Sequence, residues 1–224
     1  MVTDVIEIVS QTDDYLVVFK PSGLPTAPLK NQEGDSLVKE ASEFFPQIMS
    51  VHGRQEWEGG LLHRLDTPTS GLVLIALKQE FYNSILKQQD RGDFQKLYRA
   101  TISKRAEKLE GFPLFEFPRR LDGVVIESAF RTYGPKGAQV RPVTGPKAKG
   151  LLRYETYVER ESADTYLCTL KKGFRHQIRV HMAWSGRPLL GDTIYGGEKS
   201  DTFGLEAIAM TFYGLNGKRV EVSI

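Results

Sequence analysis

Cysteine is almost absent from this chain: Cys168 is the only one among 224 residues. An internal disulfide is thereby excluded, and the composition fits a reducing compartment. No apolar run approaches the ~20 residues of a membrane-spanning helix, and Met1-Val-Thr-Asp lacks the basic and apolar regions of a secretory leader. The cytoplasm is therefore the expected location, with no membrane partner. An excess of one charge is missing too. The formal net charge is +2, so any nucleic-acid surface must be local rather than a property of the whole chain. There is no P-loop and no glycine-rich dinucleotide fingerprint, and no cofactor is expected. The histidines do not read as a metal set either. His176 and His181 lie five apart, about 140° around a helix axis, and no cysteine or carboxylate completes a site with His63.

What is present is an ordinary globular composition, 40% hydrophobic and 26% charged, long enough to bury a substantial core. A single domain over residues 1–224 is expected, with a loop-rich segment at 105–150 rich in Gly, Pro and basic residues. The centre of the chain is Leu61 to Leu77, whose second half, Leu72 to Leu77, is an unbroken apolar run. Such a run reads as a strand buried on both faces. Directly before it His63, Arg64 and Asp66 precede a turn of Thr67, Pro68, Thr69, Ser70 and Gly71. A carboxylate at the mouth of a buried strand is held rigidly and partly shielded from water, the setting of a catalytic acid, base or nucleophile. An Asp before x-Pro is also a common turn initiator.

The flanking scaffold reads as follows. Val5–Val9 and Tyr15–Phe19 are strands, the second ended by Lys20-Pro-Ser-Gly-Leu-Pro. Asp35 is the expected N-cap of a helix carrying Leu37, Val38, Ala41, Phe44 and Phe45 until Pro46 stops it. His52, in a Gly-rich loop with Trp57, reads as a surface residue. Lys78–Asp90 is an amphipathic helix with Phe81, Tyr82, Ile85 and Leu86 inward. Strands follow at Lys96–Ile102, Glu127–Tyr133, Leu151–Arg160 and Thr165–Lys171. A helix is expected from Lys172 to about Ser185 with Gly186 at its end, placing Arg175 and Arg179 on one face. Asn216-Gly217 reads as the hairpin turn into the final strand. The local basic candidates are Arg64, Lys96 with Arg99, Arg119 with Arg120, Lys147 with Lys149, and Lys171, Lys172, Arg175 and Arg179.

His63-Arg-Leu-Asp-x-x-Thr-Ser-Gly-Leu before an apolar strand, the Lys20-Pro-x-Gly loop, Lys96-Leu97-Tyr98, and His176-Gln-Ile-Arg-x-His followed by Gly186-x-Pro-x-x-Gly-Asp-x-x-Tyr-Gly together form a pattern. It resembles the RluA-type RNA pseudouridine synthases, in the form without an N-terminal RNA-binding domain. The resemblance runs from about Asp14 to Tyr213. It implies an α/β (α+β) fold with a mixed, largely antiparallel central sheet, flanking helices and a central active-site cleft. It further implies isomerisation of uridines in ribosomal or transfer RNA, acting as a monomer. Asp66 takes the catalytic role, Tyr98 lies beside the target base, and Arg179 pairs with Asp66. A guanidinium suits that partner because its planar fork aims a carboxylate as well as neutralising it. Arg64 is the residue expected to fill the gap left by an extruded nucleotide, with His63, Lys96, Lys172, Arg175 and Ile178 as further RNA-facing positions.

The pattern is broken at Phe174, where the family has Arg, with Arg175 as its substitute from the next position; near the C-terminus Glu206-Ala207 and Tyr213-Gly214 replace His-Ala and His-Pro. Lys20 receives no role, and Gly191-Asp192 reads as a structural turn. Two other classes fit parts of the sequence: a glycosidic-bond hydrolase, which would want a second acid at defined separation, and a non-catalytic RNA-binding module.

Overall fold

The computed structural model describes residues 6–28, 34–107, 109–118 and 120–224. Val5 and Arg119 therefore lie outside the described residues. In chain order the elements are β1 (Glu7–Gln11), β2 (Tyr15–Lys20), α1 (Leu37–Phe44), β3 (Ser70–Ala76), α2 (Gln79–Arg91), β4 (Gln95–Thr101), β5 (Val124–Tyr133), β6 (Gln139–Val143), β7 (Tyr154–Arg160), β8 (Thr165–Leu170), α3 (Gln177–Trp184), β9 (Leu205–Tyr213) and β10 (Arg219–Ser223), with short 3-10 turns between some of them. This is a mixed α/β architecture whose strand pairs are largely antiparallel. No helix among the described residues is long and apolar enough to cross a membrane. The chain divides into two compact units, Met1–Lys96 with Ala207–Ile224, and Leu97–Glu206.

In the first unit the strands neighbour one another in the order β1-β2-β3-β9, with β10 on β9. β3 is buried from Gly71 to Ala76, as its unbroken apolar run demands. It pairs antiparallel with β2, Tyr15 opposite Ala76 and Lys20 opposite Gly71. Gly71 has a φ of 114°, and a Cβ there would lie 2.3 Å from the Ala207 carbonyl oxygen. The strand can enter the sheet beside β9 only with glycine at this point. α2 lays Phe81, Tyr82 and Ile85 on the sheet and ends at Gly92 in the left-handed conformation. Tyr15, Phe81, Phe94 and Phe212 form the aromatic centre of this core, with Leu62, Leu72 and Leu74 around them. The N-cap of α1 is Ser36, not Asp35: its hydroxyl accepts from the Lys39 N–H. Asp35 instead pairs with the Lys39 ammonium at 3.0 Å.

The second unit orders its strands β4-β8-β7-β5-β6. Its core gathers Phe130, Val140, Val180, Ala183 and Tyr195. β6 was not expected, because Pro142 interrupts it; as the terminal strand it tolerates the missing N–H, and Pro142 sits opposite Phe130. Within 105–150 the described residues 107, 109–118 and 120–123 are turns and irregular chain, and β5 and β6 form an antiparallel pair beyond them. The larger correction concerns α3. It begins at Gln177, not Lys172, and His176 before it is held at a φ of 59°. Phe174 explains the late start. Its ring stacks on Phe130 at 5.0 Å and packs on Tyr154 at 5.1 Å, while the Gln177 side chain accepts from its backbone N–H. Arg175 is consequently off the helix and does not share a face with Arg179. Gly186, in the left-handed region beyond the Ser185 cap, ends the helix as expected.

Candidate active site

Asp66 occupies a short loop that is fastened from both sides. Its carbonyl accepts from the Thr69 N–H at 2.9 Å, closing a tight turn. The segment leaving β2 then clamps the loop. Gly23 N–H and Lys20 Nζ both donate to the Thr67 carbonyl at 2.9 and 3.1 Å, and Ser22 Oγ donates to the Pro68 carbonyl at 2.7 Å. Thr26 Oγ1 donates to the Leu65 carbonyl at 2.7 Å and accepts from the Leu65 N–H. The half-buried Asp66 carboxyl is therefore carried on backbone that has little freedom to move.

Lys20 is a residue that sequence reasoning passed over. It is 0% exposed, and its ammonium also donates to the Pro21 and Leu24 carbonyls at 2.8 Å. Burial lowers its pKa to about 8, partly offset by the nearby Asp66 carboxylate. It fastens the carboxylate's loop and places a cation near it. The Lys-Pro-x-Gly string was the available signal; the carbonyls that Lys20 reaches across the fold were not visible.

The remaining unit-one residues are placed as follows. Arg64 is exposed and pairs with Glu58, a buried carboxylate. His63 Nε2 accepts from the Leu74 N–H at 3.1 Å, which assigns the ring proton to Nδ1; that nitrogen is buried and has no hydrogen-bond partner among the described residues. Burial, then the Lys96 and Arg54 cations, push the His63 pKa well below the ordinary histidine range. Lys96 is buried, its ammonium 4.5 Å from the Phe94 ring centroid. Its pKa falls to about 8, chiefly through burial and then through Arg54.

In the second unit Tyr98 is buried on β4. Arg179, on α3, is buried with Asp192: Nε donates to Oδ2 and Nη2 to Oδ1, both at 2.8 Å. Its guanidinium carbon stands 5.1 Å from the Tyr195 ring centroid and 5.3 Å from that of Phe203. Asp192, which reads in sequence as a turn residue, is thus the partner that orients the guanidinium. Tyr195 is held in turn by accepting from the Val140 N–H at 2.9 Å and by a 2.8 Å bond with His176 Nδ1.

Arg175, the expected substitute for the family Arg, lies on the segment before α3 and not on the helix. It donates to the Gly137 and Gln139 carbonyls and pins the β5–β6 connection. Ile178 is buried, and Lys172 is exposed. His181 is fully buried, with both ring nitrogens bonded to hydroxyls, Ser128 at 2.9 Å and Thr156 at 2.8 Å.

Two solved structures share this architecture. Human RNA Pseudouridylate Synthase Domain Containing 1 superposes with a TM-score of 0.67 at 21% identity, over 98% of this chain and 82% of that one. Human RNA Pseudouridylate Synthase Domain Containing 4 gives 0.64 at 18%, over 97% and 87%. The fold is thus that of pseudouridylate synthase domains. A family model described as RNA pseudouridylate synthase matches residues 14–184, a stretch that holds Asp66, Tyr98 and Arg179. The chain belongs to this family. Among curated relatives, the Dual-specificity RNA pseudouridine synthase RluA of Vibrio parahaemolyticus is 30% identical over 220 residues, covering 92% of this chain and 77% of that protein. The Ribosomal large subunit pseudouridine synthase D of Pseudomonas aeruginosa is 28% identical over 193 residues, 86% of this chain and 54% of that protein. The chain spans about half the length of several of the relatives it matches.

Proposed function

We propose that this chain is an RNA pseudouridine synthase, an isomerase that converts specific uridines of ribosomal or transfer RNA to pseudouridine with Asp66 as its catalytic carboxylate. The observation that carries the reading is that the family match spans Asp66, and that Asp66 stands on a loop clamped by Lys20, Ser22, Gly23 and Thr26. A group that must meet an anomeric carbon in one geometry needs such fixed backbone.

In the reaction the bond from ribose C1′ to uracil N1 breaks, the uracil turns over, and C5 bonds to C1′ as its hydrogen leaves as a proton. Asp66 acts as nucleophile or as the base that starts proton removal from the sugar. Tyr98 stacks on the uracil, a flat ring with a hydroxyl for proton transfer. Arg179, already held square by Asp192, supplies the guanidinium that orients Asp66. Arg64 fills the space vacated by the flipped nucleotide, and Lys172 contributes a phosphate contact. The chain acts as a monomer in the cytoplasm and needs no metal.

RNA carrying tritium at uridine C5 tests this directly, because isomerisation replaces the C5–H bond and releases the label to water. The wild type should release tritium. Asp66→Asn should lower release by about a thousandfold or more while leaving RNA binding and the circular dichroism spectrum intact. Undiminished release by the variant would remove Asp66 from the chemistry, and free uracil in place of pseudouridine would make the chain a hydrolase.

A further inference from the structure

The first unit holds two cationic side chains, Lys96 and Arg54, beside the neutral His63 ring, and among the described residues no carboxylate is paired with them. Phe94 is the floor of the group. The Lys96 ammonium lies 4.5 Å from the ring centroid on one side, and the His63 ring meets the same phenyl group at 5.6 Å and 63°. Arg54 is tied in through one intermediary: its Nη2 donates to Gln89 Oε1 at 3.0 Å, and Gln89 Nε2 donates to the carbonyl of Leu62, the residue before His63. Lys96 is 6% exposed, and among the described residues no acceptor is hydrogen-bonded to its ammonium. His63 offers a second unmet donor, the Nδ1–H that the Leu74 N–H fixes by occupying the opposite nitrogen. Glu58, the buried acid nearby in sequence, is committed to Arg64.

A buried ammonium and a buried imidazole N–H, both without acceptors, are costly in an empty site. An oxyanion satisfies both at once. We propose that Lys96, His63 Nδ1 and Arg54 form a binding subsite for one backbone phosphate of an RNA strand. This deepens the synthase reading and rests on it, since RNA is the polyanion that reading supplies. A phosphodiester is a monoanion with two free oxygens: one takes the Lys96 ammonium, the other the His63 N–H, and Arg54 closes from the solvent side with a guanidinium suited to phosphate. No carboxylate offsets the lowered pKa values of Lys96 and His63, as expected of groups whose counter-ion comes from outside.

The test uses the full chain, with inorganic phosphate and a uridine-rich oligoribonucleotide as separate probes. Phosphate, and not chloride at equal ionic strength, should shift the His63 ring nitrogen resonances. Lys96→Met should weaken phosphate binding about tenfold or more, the loss of one charge-assisted contact. Arg54→Gln, an exposed change that spares the core, should weaken it less. With the oligonucleotide, each variant should lower the salt dependence of binding by about one phosphate contact. Asp66→Asn should bind phosphate as the wild type does. Unshifted His63 resonances overturn the subsite, and so does a wild-type salt dependence in both variants, even if free phosphate binds. A chain that binds phosphate here yet makes no pseudouridine overturns the synthase reading and leaves the anion site standing. A chain that makes pseudouridine while Lys96→Met changes nothing overturns the subsite alone.

Discussion

Of the three buried cations at motif positions among the described residues, Lys20, Lys96 and Arg179, the last two stand one in each compact unit and are treated in opposite ways. Arg179 is closed into a planar, two-bonded pair with Asp192 and flanked by the rings of Tyr195 and Phe203. Lys96 lies against Phe94, with Arg54 and His63 as neighbours. The first cation has its anion built in, so its orientation is set before any substrate arrives. The second is desolvated without that compensation, so its charge is available to a ligand. The difference also explains the choice of residue. The fork of Arg suits a fixed carboxylate, whereas Lys is a point charge whose pKa moves readily on burial.

The largest effect should come from breaking the satisfied member of the comparison. Asp192→Asn keeps the size of the side chain but removes the charge, taking from a buried guanidinium the carboxylate that accepts two of its hydrogen bonds. Loss of one partner from a buried ion pair costs about 3–5 kcal/mol, which urea or guanidinium unfolding would read as a large drop in midpoint. Replacing both partners together, Arg179→Met with Asp192→Leu, should recover most of that stability while turnover stays lost. A drop below about 1 kcal/mol for Asp192→Asn would show that the pair is not the buried, mutually dependent unit described.

His181 is an intermediate case, buried like the two cations but neutral and fully hydrogen-bonded. Burial drives its pKa down to about 3. The folded form therefore resists protonation while the unfolded chain takes a proton near pH 6.5. Below that point the unfolded state binds more protons, so stability falls as pH falls. At pH 5 the penalty from His181 amounts to about 2 kcal/mol. His63, also shifted down, adds a loss of the same sign. Unfolding measured from pH 7 to pH 5 should show the decline, and His181→Gln should flatten part of it. An unchanged pH dependence in that variant would mean that water reaches the imidazole.

How much of this was legible beforehand follows from where each feature gets its partners. The doubly buried β3, the amphipathic α2 and the Asn216-Gly217 hairpin are written in local sequence, and the structure has all three. The start of α3 depends on Phe174 finding Phe130 and Tyr154, partners supplied by distant strands, so local pattern placed it too early. β6 was hidden by Pro142, whose tolerance rests on its terminal place in the strand order. At the candidate site the acidic loop was readable as a motif. The clamp by Lys20 was not, because its acceptors include the Thr67 carbonyl, 47 residues along. Asp192 looked like an ordinary turn residue for the same reason: its partner becomes visible only once α3 is packed. Lys96 was readable as basic, but sequence holds no trace of a missing counter-ion.

The smallest expected effect probes the unsatisfied cation most directly. Lys96 is deprotonated near pH 8 in the folded chain and near 10.5 in the unfolded one. Between these values the unfolded state binds the extra proton, so stability rises with pH as the buried charge is relieved. From pH 8 to pH 9 the gain is about 1 kcal/mol for one such lysine. Cys168 offsets a few tenths of a kcal/mol of this within the interval, since a free thiol titrates near 9, and Tyr195 opposes it at higher pH, because burial raises both of their pKa values in the folded chain. Lys20, also near 8, contributes a similar gain, so Lys96→Met should remove about 1 kcal/mol of the rise rather than abolish it. Saturating phosphate should do to the wild type what the substitution does, because an anion on Lys96 raises its folded pKa back toward the unfolded value. A rise of the same size in the wild type, the variant and the phosphate-bound protein would mean that Lys96 is hydrated or paired, and the contrast with Arg179 would disappear.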